Sequence, residues 1–156
     1  EISCSLVGSE MCIRDRDSEM PQSYNHIPLM FYAPALLTAE EKENFGGQID
    51  VAPTLLGMLR INYIQNNLGI DLLKEERPCM FFSADNMLGV KDTKHFYIYD
   101  TESKQEFNYN IHNGTLSPAT ANTTFDLLKT YAFSMLQTTE YLIRKQLTTD
   151  KPHSNP

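Results

Sequence analysis

Tryptophan is absent, cysteine occurs three times, and 13 basic residues face 20 acidic ones. Each shortage narrows what the chain can do. A formal charge of -7 argues against non-specific nucleic-acid binding, which relies on basic stripes that neutralise phosphates. No apolar run approaches the roughly 20 residues of a membrane span, so no span is read after residue 17. Two of the cysteines, Cys4 and Cys12, fall in an anomalous N-terminal stretch. Cys79 then stands alone in the apolar run Cys79-Met80-Phe81-Phe82. It has no partner for an internal disulfide, and no Cys/His zinc spacing survives. It reads as a buried, inert thiol.

The anomalous stretch is Leu6 to Arg16, LVGSEMCIRDR. It resembles the in-frame translation of a transposase sequencing adapter, so residues 1–16 are set aside as a non-native scar. That removes Glu1, Glu10 and Asp15 against Arg14 and Arg16 and moves the formal charge from -7 to -6. The expectation is that native sequence starts near Asp17, in mid-gene. Residues 17–150 would then be the C-terminal portion of a longer domain, and 151–156 a disordered tail.

Ser18 to Asn25 is polar and holds Pro21, so it reads as a loop. Ile27 to Ala33 is nearly all apolar, with Pro28 at its start, and predicts a strand buried on both faces of a parallel sheet. Asp50 reads as a helix N-cap, with Pro53 tolerated in the first turn. Val51, Leu55, Met58 and Leu59 share one helical face. Gly57 inside that helix costs about 1 kcal/mol relative to alanine, which implies close packing against a neighbour. Beyond Pro78 the texture turns aromatic and β-branched, with turn signals at Asn86 to Gly89 and at Asn113-Gly114, and predicts two or three antiparallel strands. Phe125, Leu128, Ala132, Met135, Leu136, Thr139, Leu142 and Ile143 recur at helical spacing and predict a long amphipathic helix over 123–147.

Two segments together carry a resemblance. Asn25-His26-Ile27-Pro28-Leu29-Met30-Phe31-Tyr32-Ala33-Pro34 precedes Gly47-Gln48-Ile49-Asp50-Val51-Ala52-Pro53-Thr54-Leu55-Leu56-Gly57-Met58-Leu59, and Leu68-Gly69-Ile70-Asp71-Leu72-Leu73 follows. The ordered set resembles the sulfatase family of the alkaline phosphatase superfamily, closest in flavour to its lipoteichoic-acid-synthase-like branch. Arg60 departs from it, standing where the family often has glycine. The resemblance implies an α/β fold: the C-terminal part of an alkaline-phosphatase-like α/β/α sandwich, with a small antiparallel subdomain and a long C-terminal helix. A parallel strand deprived of its neighbours leads to the expectation that residues 17–156 do not fold stably alone.

The same resemblance implies chemistry. Such enzymes hold a Thr, Ser or formylglycine nucleophile on one or two divalent cations (Mn, Mg, Ca or Zn), which polarise a phosphate or sulfate ester. It implies an Asp-His-Gly shortly upstream of Pro21, the nucleophile further upstream, and N-terminal spans that place the domain on the extracytoplasmic face of the cell membrane. No Asp-His pair occurs in this sequence. The chain is therefore expected to bind no metal and to have no activity by itself. Three alternatives stay open for the parent: a soluble sulfatase, a phosphoethanolamine transferase, which the lone Cys79 counts against, and a non-catalytic binding or scaffold protein that keeps the fold.

His26, just before the first strand, is the one substrate-proximal candidate; the preferred reading is a loop histidine fixing the strand's start. Asp50 is assigned to capping rather than to a metal. Asp71, Asp85 and Asp92 show no paired spacing for acid–base work, and His95 and His112 read as structural. Phe96, Tyr97, Tyr99, Phe107 and Tyr109 could line a sugar or lipid headgroup site, but cross-strand packing is preferred.

Overall fold

The computed structural model describes residues 19–20, 27–42, 44–84 and 86–148, together with the backbone of Ser3–Leu6. Nine elements follow in chain order: β1 (Ser3–Leu6), β2 (Leu29–Tyr32), α1 (Gln48–Met58), β3 (Met80–Ala84), β4 (Met87–Lys91), β5 (His95–Asp100), β6 (Glu106–His112), β7 (Thr115–Pro118) and α2 (Thr123–Arg144). The expected tail at 151–156 lies outside the described residues.

The aromatic second half forms five antiparallel strands in the order β3-β4-β5-β6-β7, more than the two or three expected. The extra pairing arises because Gly89, read as part of a turn, lies inside β4 opposite Phe82 and Ile98. A methyl group there would sit 2.7 Å from the Phe82 ring, so the small residue makes room for that ring. The turn itself shrinks to the position of Asn86, whose φ is 63°. Asn113 and Gly114, with φ of 48° and 79°, close the β6–β7 hairpin as its composition predicts. At the β5–β6 turn the Asp100 carboxylate accepts from the Glu102 and Ser103 amides at 2.8 and 3.2 Å.

Strand alternation gives this sheet two apolar faces. On one, Val90, Tyr97 and Cys79 pack against Phe125, Leu128 and Ala132 of α2. On the other, Phe96, Ile98 and Tyr109 surround Met20. The neighbouring Glu19 carboxylate accepts a hydrogen bond from the Tyr109 hydroxyl. The helix starts where the sequence places it, with the Asn122 side chain accepting from Thr124 and Phe125 amides at 2.9 and 3.2 Å. Its buried stripe is shorter than predicted: Phe125, Leu128 and Ala132 are buried, whereas Ile143 is 62% exposed.

The first half is less closed. β2 is not a doubly buried parallel strand: it pairs antiparallel with β1, and Met30 and Tyr32 point outward. β1 lies within the stretch read as adapter-derived. β2 makes no substantial contact with the five-stranded sheet or either helix, so the core beneath α2 does not depend on it.

α1 starts three residues earlier than its sequence suggests. Its N-cap is Gly47, and Asp50 occupies the third helical position. The helix ends in a Schellman turn, with Ile61 N donating to Leu56 O at 3.0 Å and Arg60 N to Gly57 O at 3.1 Å. Arg60 is left-handed there, with φ of 54°. Glycine at this position removes a steric penalty of about 1 kcal/mol, and Arg60→Gly should slow amide exchange in α1 roughly fivefold, with no such gain in Arg60→Ala. Unchanged or faster exchange in the glycine variant would show that the turn carries no strain.

Candidate functional site

The most polar buried locus is the start of α1. Helix geometry directs Asp50 back toward its own N-terminus, where the Gly47 amide donates to Oδ2 at 2.9 Å. The Ile70 amide donates to Oδ1 at 2.8 Å. Arg77 approaches side-on, Nε to Oδ2 at 3.1 Å and Nη2 to Oδ1 at 2.5 Å. Asp50 is 0% exposed and the Arg77 side chain 9%. Arg77 Nη2 also donates to Leu68 O at 2.5 Å. Burial by itself would lower the pKa of the guanidinium, but the hydrogen bond and charge of Asp50 reverse this and hold it above its ordinary value.

One turn on, Thr54 repeats the device. Its hydroxyl donates to Asp50 O at 2.6 Å and accepts from the Leu72 amide at 3.0 Å. Alternate amides of the Leu68–Leu73 loop are thus tied to successive turns of α1. Gly57 extends the contact: a methyl group there would lie 2.1 Å from Asp71 Oδ2, which is the close packing its helical position implied. Asp71 accepts from the Leu73 amide at 3.1 Å and pairs with Lys74 at 2.8 Å, which raises the pKa of the ammonium.

These carboxylates are committed to structure. Asp50 caps, as expected, although from the third helical position. No group of three or more His, Cys, Asp or Glu able to hold a metal occurs among the described residues. With Asp50 and Asp71 bonded within the fold, the described residues do not fit a divalent cation. His26 and Asp85 lie outside the described residues.

The remaining candidates are dispersed. Asp92 accepts from the Lys94 and His95 amides at 2.7 and 2.6 Å and meets His95 Nδ1 at 3.0 Å. The His95 ring stands edge-on to Phe125 at 5.4 Å, which locks the β4–β5 turn onto α2. His112 is exposed at the end of β6. Phe96, Tyr97 and Tyr109 are buried in the two sheet cores, with Tyr99 and Phe107 packed against them, so none lines an open site. Arg77 and Thr54 had no sequence signal as site residues: Arg77 stands 27 positions from Asp50, beyond the reach of any spacing rule.

No protein-family model matches the chain, and no curated protein matches it. Among solved structures, the chain is similar to a protein in the alkaline phosphatase superfamily from Vibrio parahaemolyticus, with a TM-score of 0.68 and 16% identity. The likeness covers 88% of this chain and 34% of that one, so the chain spans about a third of that protein's length. At this identity the likeness concerns the fold: mixed α/β with a five-stranded antiparallel sheet and a C-terminal helix, matching part of an alkaline-phosphatase-superfamily protein.

Two outcomes follow from this geometry. Arg77→Met leaves a sealed carboxylate without its counter-charge and should cost about 3–5 kcal/mol in urea unfolding, with Asp50→Asn in the same chain recovering part of the loss. A cost near the ~0.5 kcal/mol of an ordinary surface change would refute the clamp. Burial, then the nearby Asp92 charge, push the Cys79 thiol up to about 11. A disulfide reagent at pH 8 should therefore leave Cys79 unmodified until the chain unfolds; prompt labelling of the native chain would show an open thiol.

Proposed function

We propose that this chain is the C-terminal portion of a metal-dependent, sulfatase-like enzyme of the bacterial envelope. The parent would hydrolyse phosphate or sulfate esters or transfer a phosphoglycerol-type group, on the extracytoplasmic face of a membrane to which N-terminal spans anchor it. The nucleophile and the ligands for Mn, Mg, Ca or Zn would come from the rest of the parent, leaving this piece inactive alone.

The observation that carries the reading is the interlock of the two resembling segments. Asp50 and Thr54, the polar residues of Gly-x-x-Asp-x-x-Pro-Thr-Leu, hold the amides of Ile70 and Leu72 in the Leu-Gly-Ile-Asp-Leu-Leu segment. The order and spacing that suggested the family therefore have a physical use: a buried bolt between a helix and the loop after it. The superfamily fold supports the same reading at a coarser level. In this assignment the described part contributes scaffold, since Asp50, Thr54 and Asp71 all bond within the fold.

Sequencing the genomic DNA upstream of the Asp17 codon tests the proposal. The expected result is an Asp-His-Gly shortly before Asp17, with a Thr nucleophile and apolar spans further up. The purified parent should then cleave a chromogenic phosphate or sulfate ester and lose that activity on chelation, while the 156-residue chain shows none. A reading frame without those ligands would sink the catalytic assignment in favour of a binding or scaffold protein with the same fold.

A further inference from the structure

Asn113 is the one asparagine in the sequence that glycine follows. The fold places this pair at the tip of the β6–β7 hairpin. His112 and Thr115 form the closing pair of the ladder, so the two central amides, those of Asn113 and Gly114, stand outside it. All four residues are exposed, and a methyl group on Gly114 would meet nothing within 4 Å. Other asparagines are held. The Asn122 carboxamide caps α2 by accepting from the Thr124 and Phe125 amides. Asn67 Oδ1 accepts from the Gly69 amide at 2.8 Å and from Gln65 Nε2 at 2.7 Å. Asn108 and Asn110 lie inside β6, where strand pairing fixes the backbone.

We infer that Asn113 is a site of spontaneous covalent modification, where the Gly114 amide attacks the Asn113 carboxamide and water completes conversion to an aspartyl or isoaspartyl linkage. In the first step the Gly114 nitrogen bonds to Asn113 Cγ while the Cγ–Nδ2 bond breaks. The proton lost from the Gly114 nitrogen passes through solvent to the departing group, which leaves as ammonia. The product is a cyclic imide, and water then adds to one of its two carbonyls. Opening at Cγ restores the ordinary backbone with a carboxylate side chain; opening at the α-carbonyl routes the backbone through Cβ. Glycine favours the first step because no side chain shields the attacking nitrogen. The linking peptide must also turn out of the left-handed geometry, with φ of 48° and 79°, which glycine does at little cost. The fold helps as well: β7 is a four-residue edge strand, so the tip can open without unfolding the sheet. The isoaspartyl product adds a methylene to the backbone of a two-residue loop. Such loops set strand register, so the change uncouples β7 from β6. The core beneath α2, with Val90 and Tyr97 as its buried strand residues, is left intact. None of this depends on what the parent catalyses.

Incubating the 156-residue chain at pH 8 and mapping its peptides by mass spectrometry tests the site, with isoaspartate read by an isoaspartyl methyltransferase assay. Position 113 should convert first, on the order of tenfold faster than any other asparagine, because each of the others precedes a residue with a β-carbon. Gly114→Ala should slow the conversion by a similar factor. Asn113→Gly, which suits the same turn, should abolish it and leave the melt unchanged. In the converted chain the amides of β7 should exchange about tenfold faster while α2 keeps its protection. Conversion only after unfolding in urea, earlier conversion at another asparagine, or unchanged β7 exchange in the converted chain would each overturn the inference.

Discussion

A carboxylate cut off from water is tolerated only when its lone pairs are filled and its charge is met. The first half of this chain is arranged around that condition at Asp50. Two backbone amides and a side-on guanidinium occupy it. Each partner comes from a different place: the N-terminus of α1, the Leu68–Leu73 loop, and the segment leading into β3. Satisfying one anion thus fixes where α1 starts, where the loop crosses it and how the chain enters the sheet. Because an unfilled buried acceptor costs about 1–3 kcal/mol, the arrangement resists partial loosening.

The same interaction explains the division of labour in the molecule. α1 turns Asp50, Pro53 and Thr54 inward, and leaves Val51, Leu55 and Met58 half-buried and Leu59 exposed. Among the described residues, the five-stranded sheet buries no charged side chain and packs aromatic residues on both faces. A closed module and an open, apolar-edged one are therefore joined through Arg77, whose neighbour Tyr131 on α2 brings the clamp to the helix covering the sheet.

Much of this was legible in the sequence. Asn113-Gly114 turns the hairpin as its composition predicts, the long helix starts where its period begins, and Gly57 signals a close approach because nothing else justifies glycine in mid-helix. The aromatics from Phe96 to Tyr109 read as core and are core. The errors have physical causes. Asp50 resembles an N-cap because Asp before an apolar run usually sits there, yet its carboxylate caps from the third position, with Gly47 at the N-cap. Gly89 read as a turn because a lone glycine in an aromatic stretch looks like punctuation; its use is to make room for Phe82. Arg77 was invisible because no spacing rule links it to Asp50.

The sequence by itself determined the long helix α2, the β6–β7 turn, the resemblance and the absence of an Asp-His pair, because these depend on residue type, period and near neighbours along the chain. Only the tertiary structure decided which face of α1 is buried, that Arg77 meets Asp50, and that β2 stands apart from the sheet. Those outcomes depend on free energies summed over contacts between distant residues. The partners of a buried charge set which side of α1 packs most tightly, and those partners come together only when the chain has folded.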